Sequence, residues 1–183
     1  KEPSRELVTL APELKKLLSF LKLSRDQFFI VPGNHDIVWD DFKNKDLSEK
    51  PYSHFLQFLN ILNPGHMRRG TRNKLIDKES MISQDELVWD FKIKKPNLNI
   101  IGLSSSSLSI AMQGRGSLSA DVLKIVRKKW EKNKKQRTEL RILLMHHNLL
   151  PTQSMSSKDD SYIFDNSGAI IETLNACRCD LVL

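Results

Sequence analysis

Two short stretches concentrate side chains that could do chemistry. In "FFIVPGNHD", Gly33, Asn34, His35 and Asp36 follow an apolar run; in "LRILLMHHN", His146, His147 and Asn148 follow another. An asparagine oxygen and an imidazole nitrogen are both competent metal ligands. A carboxylate beside a histidine can orient it. Gly33 can supply an unusual backbone angle that aims Asn34 and His35. In open α/β sheets ligands sit beyond the carboxyl ends of strands. If the strands preceding the two clusters are parallel in one sheet, the clusters share an edge and can converge. Each cluster alone has an ordinary reading, a Gly-Asn turn or a chance His-His pair. Their shared position at strand ends is what points to a site.

The elements that must hold them are legible as hydrophobic periodicity. "QFFIV" reads as a buried strand stopped by Pro32-Gly33. "APELKKLLSFLKL" places Leu14, Leu17, Leu18 and Leu21 on one helical face, with Pro12 in the first turn. "YSHFLQFLNIL" reads as a helix ended by Asn63-Pro64-Gly65. Residues 66–86 read as a polar loop or insertion. "ELVWDFKI" and "LNIIGLSSS" are consecutive strands, which suggests a hairpin over 87–103. Ser119 is placed to cap "ADVLKIVRKKWEKN", whose core stripe is Val122, Val126 and Trp130. "LRILLM" is a further buried strand, "SGAIIETLNA" a last helix, and "DLVL" the start of a last strand. Strands alternating with helices imply an α/β sandwich.

Composition narrows the class. With 39% hydrophobic and 28% charged residues over 183 positions, the chain suits one soluble globular domain. No apolar run approaches the ~20 residues of a membrane helix. Cys177 and Cys179 have a spacing that suits neither a disulfide framework nor a four-ligand zinc site, so free thiols in a reducing, cytoplasmic compartment are expected. The net charge of +7 gathers in segments 66–74 and 124–137. That admits a phosphate-rich partner such as nucleic acid, or simply the solvated face of a helix and a basic loop. Aromatics do not interleave with these lysines as a single-strand stacking platform requires. His54 reads as a surface or packing histidine and His66 as a loop residue. The serines 104–107 could meet a substrate oxygen or merely cap backbone. Neither a Ser-His-Asp signature nor a P-loop is present in the sequence.

"FFIVPGNHD" resembles the Gly-Asn-His-Asp/Glu motif of the calcineurin-like metallophosphoesterases. "LLMHHNLLP" is similar to that family's Gly-His or His-His motif, and "IIGLSSSS" followed by "GSLSADVLKIVRKKW" resembles the segment between them. The resemblance spans roughly residues 26–183. It implies a four-layer α/β/β/α sandwich, incomplete at both ends, with residues 1–183 forming a single partial domain. It also implies two divalent ions, manganese, iron or zinc, about 3.5–4 Å apart, sharing a hydroxide that attacks phosphorus in line. By the same resemblance Asn34 and His146 are metal ligands, with His147 the alternative to His146. His35 contacts the phosphate and protonates the leaving oxygen, and Asp36 positions His35.

The sequence departs from that family in definite ways. The opening Asp-x-His and Gly-Asp motifs and the closing Gly-His-x-His are absent. Met145 stands where many members have glycine, and Asn148 where many have proline. "CDLVL" reads as entry into a strand, so a piece of a longer domain is expected. Asp36 and His-His-Asn favour a phosphodiesterase over the protein-phosphatase branch, which usually has Gly-Asn-His-Glu and His-Gly-Gly. A nuclease of the same fold and a non-catalytic interaction module are the alternatives.

Overall fold

The computed structural model describes residues 3–23, 28–36, 52–62, 73–75, 88–106, 116–132, 134–150 and 164–183. Its helices are α1 (Pro3–Phe20), α2 (Ser53–Leu62), α3 (Ala120–Glu131) and α4 (Ser167–Ala176). Its strands are β1 (Asn73–Leu75), β2 (Val88–Ile93), β3 (Leu98–Leu103), β4 (Leu140–Leu144) and β5 (Leu181–Val182), in one mixed sheet of order β1-β2-β3-β4-β5. The expected hairpin is present: β2 and β3 are antiparallel from Val88↔Leu103 to Ile93↔Leu98. β3, β4 and β5 are mutually parallel. Parallel neighbours need a long crossover, and α3 and α4 lie in the two that this chain supplies. The carboxyl ends of β3, β4 and β5 therefore share one edge of the sheet.

Period-two alternation sorts the strand side chains onto two apolar faces. Val88, Ile101, Leu103 and Leu143 join Val122, Val126 and Trp130 of α3 and Ile170 and Leu174 of α4 in one core. Trp89, Phe91 and Ile100 point the other way, to Ala11 of α1 and Phe55, Phe58 and Leu62 of α2. Ser119 caps α3, its hydroxyl accepting from the Val122 N–H at 3.2 Å. The stripe Val122–Val126–Trp130 is fully enclosed, as its spacing predicts. Among the described residues the architecture is thus α/β, with helices on both faces of one sheet. The second sheet of the four-layer expectation is not among them.

Three local expectations are corrected. "FFIV" is not a strand of the sheet. It is an irregular segment lying on the β2–β3 face, where Phe29 packs edge-on to Phe91 with ring centroids 5.0 Å apart. A short apolar run is the case in which periodicity cannot tell a strand from another buried segment. Helix α1 starts at Pro3, so Pro12 is inside it, and its buried stripe is Ala11 and Leu18, while Leu17 and Leu21 are exposed. Within the expected loop 66–86, residues Asn73–Leu75 form β1, antiparallel to β2; the rest of that segment, the loop 107–115 and His66 lie outside the described residues.

A buried polar cluster ties the amino edge of the parallel strands together. Arg141 of β4 donates through Nη1 to the Cys177 carbonyl (2.7 Å) and through Nε to Glu139 Oε1 (3.3 Å). Glu139 also accepts from Asn99 Nδ2 (2.9 Å) and from the Gln136 N–H (3.1 Å). Burial alone would raise the Glu139 pKa, but these bonds together with Arg141 outweigh it and hold the carboxyl below its ordinary range. Both cysteines are free thiols, and desolvation pushes each pKa up.

Candidate functional site

Asn34–Asp36 form a single 3₁₀ turn directly after Gly33. The turn is closed by the Asp36 N–H donating to the Gly33 carbonyl (3.2 Å) and the Gly33 N–H donating to Asp36 Oδ2 (2.7 Å). Asp36 is thereby a fastener of the turn, a role the sequence reading gave only as orientation of His35. Asn34 projects to the end of β4, where its Oδ1 lies 3.0 Å from His146 Nε2. Segments 112 positions apart thus meet at the carboxyl edge of the sheet, although only one of them follows a strand of that sheet.

Gly33 permits this meeting for a different reason than the one its sequence context suggests. Its φ is not in the left-handed region; instead a Cβ there would lie 3.0 Å from Cε1 and Nδ1 and 3.1 Å from Nε2 of His146. The imidazole lies against the bare glycine, and any side chain would occupy that space. Desolvation pushes the His146 pKa below the ordinary histidine range. The Asp36 charge opposes this, and His35 adds to it. The net direction favours the neutral imidazole, the form that binds a metal, even though the outer edge of the ring is open to solvent.

His147 turns the other way, into the core, and is only 4% exposed. Its backbone N–H donates to Ser105 Oγ at 3.2 Å and its Nδ1 lies 2.9 Å from the same oxygen. Its ring meets Phe164 edge-on at 5.9 Å and His146 at 4.9 Å. Of the pair, His146 is therefore the one beside Asn34. Ser105 is the site residue whose role the sequence left open. The signal was its place in a serine run at a strand end, which does not say which of four serines faces the histidine.

The donor set suits a divalent ion in part. At ligand bonds of about 2.1 Å, two donors 3.0 Å apart subtend roughly 90°, as neighbouring ligands do in octahedral coordination. Among the described residues no group of three or more His, Cys, Asp and Glu comes together. Asn34 and His146 thus contribute two donors, and a complete shell would need water or further side chains. His35 stands exposed on the same turn. An open cleft of about 300 Å³ adjoins His146 at the ends of β4 and β5, lined also by Met145, Asn148, Val182 and Leu183. On α3 the basic residues are on the outside, with Lys124 bound to Asp121 (2.7 Å) and Arg127 to Glu131 (2.6 Å). His54 is half-buried on α2. No helix among the described residues is long and apolar enough to cross a membrane.

No protein-family model, curated protein or solved structure matches the chain.

Proposed function

We propose that the chain performs metal-dependent phosphoester hydrolysis of the phosphodiesterase kind, on the four-layer sandwich that its motifs resemble. The observation that carries the reading is the 3.0 Å approach of His146 Nε2 to Asn34 Oδ1 at the carboxyl edge of the parallel strands. In this reading Asn34 Oδ1 and His146 Nε2 are ligands of one of two divalent ions. When bound, such ions supply Lewis acidity at the phosphoryl oxygens and lower the pKa of water. His35, exposed on the adjoining turn, contacts the phosphate and protonates the leaving oxygen. Asp36 holds that turn closed through Gly33, which fixes where His35 stands relative to Asn34. On α3, where the nuclease alternative would look for a basic face, Lys124 and Arg127 engage carboxylates of their own helix and Lys128 is exposed.

The test is a division of roles among the site residues of the metal-loaded protein. His35→Ala is expected to cut hydrolysis of a generic phosphodiester by a factor of about 10² or more while metal content by elemental analysis stays near wild type. Asn34→Ala and His146→Ala are expected to lose metal together with activity. A His35→Ala protein that is emptied of metal, or an Asn34→Ala protein that retains both metal and rate, contradicts the assignment.

A further inference from the structure

We infer that Ser105 and His147 form a buried brace that positions His146, making Ser105 a positioning residue for the metal ligand. The inference rests on the proposed role of His146 and goes beyond it. Ser105 is fully buried and holds His147 at two points, backbone N–H and ring Nδ1. A hydroxyl has one proton and two lone pairs. The backbone N–H occupies one lone pair, and the remaining lone pair or the hydroxyl proton meets Nδ1, so Ser105 can hold the His147 ring in one tautomer. Gly116 leaves the room for this, since a Cβ there would be 2.7 Å from Cβ and Cγ of His147. The segment at Gly116 is itself held on two sides, with the Ser117 N–H on the Ser105 carbonyl (3.0 Å) and an isolated parallel bridge from Gly116 to Phe164. The result is a closely enclosed ring, T-shaped against His146. An exposed ligand histidine has few contacts of its own to fix its ring. Here His147 joins Gly33 and Asn34 in supplying them. Groups that orient a metal ligand through contact are worth about tenfold to a hundredfold in affinity.

The experiment uses the full chain with ¹⁵N-labelled histidine. In the metal-free protein, His147 is expected to show the ring-nitrogen shifts of a single tautomer. Ser105→Ala is expected to mix the tautomers, move the His146 ring signals, and weaken Zn²⁺ binding by about tenfold or more. Ser105→Thr, which keeps the hydroxyl, restores all three. Should Ser105→Ala not fold, His147→Asn carries the test: it keeps a side chain that can bond Ser105 but no ring against His146, and the same loss of Zn²⁺ affinity is expected. A mixture of His147 tautomers in wild type, Zn²⁺ affinity unchanged in a folded variant, or equal losses in Ser105→Ala and Ser105→Thr overturns the brace. A wild-type chain with a single His147 tautomer and Ser105-dependent His146 signals but no Zn²⁺ uptake overturns the proposed function and leaves the brace standing.

Discussion

Substituting Gly33 by alanine tests the site at its tightest point. The new methyl would sit 3.0–3.1 Å from three atoms of the His146 ring, whereas carbon contacts settle at about 3.5–4.0 Å. The ring must therefore give by a few tenths of an ångström. A retreat directed away from Asn34 lengthens the 3.0 Å Nε2–Oδ1 approach toward the limit of a hydrogen bond. Overpacking a rigid core costs about 1–3 kcal/mol. His146 is open on its outer side, so the stability loss belongs at the low end, about 1 kcal/mol. The effect on ligand geometry is larger in consequence: separating the two donors should weaken Zn²⁺ binding by at least about tenfold. The assay pairs thermal unfolding with calorimetric Zn²⁺ titration of wild type, Gly33→Ala and Gly168→Ala. Gly168 has nothing within 4 Å of a built Cβ and lies in α4. Its alanine variant should gain up to about 1 kcal/mol and bind Zn²⁺ as wild type does. If Gly33→Ala binds Zn²⁺ as tightly as wild type with the His146–Asn34 contact intact, the clearance argument is refuted.

Two further outcomes concern the scaffold. The Glu139 carboxyl is held below its ordinary range in the folded chain, so its contribution to stability is present above the unfolded pKa of about 4.3 and is lost as pH falls through the folded value. Acid unfolding followed by circular dichroism should therefore be less pH-dependent below about pH 4.3 in Glu139→Gln, with some stability already lost at neutral pH; an unchanged acid limb counts against the cluster. Trp130 is wholly buried between α3 and the sheet, and Trp130→Ala should cost about 3–5 kcal/mol by denaturant titration. A loss below about 1 kcal/mol would mean that this face is not the packed core described.

The elements with a clean period were legible in the sequence. The α3 stripe, its Ser119 cap, the β2–β3 hairpin, α2, α4 and the existence of β4 all follow from local propensity and hydrophobic patterning, although β4, expected to be buried, is only partly so, with Leu140 exposed. The two polar clusters were also legible as candidates, because polar residues after a greasy run are conspicuous whatever the fold. What sequence could not decide was which apolar runs pair into the sheet. "FFIV" has the composition of a strand, yet it packs across a face, because Phe29 finds Phe91 and Val31 lies over Gly102, where a Cβ would come 3.1 Å from it. Nor could it separate two adjacent histidines. Successive residues at a strand end point to opposite sides, so His146 meets Asn34 while His147 meets Ser105, and only the sheet's orientation says which is which. Gly33 makes the same point most sharply. The chain alone suggests a glycine needed for its backbone angle. The tertiary structure shows one needed for empty space, because an imidazole 113 positions further along the sequence occupies the volume where a side chain would be.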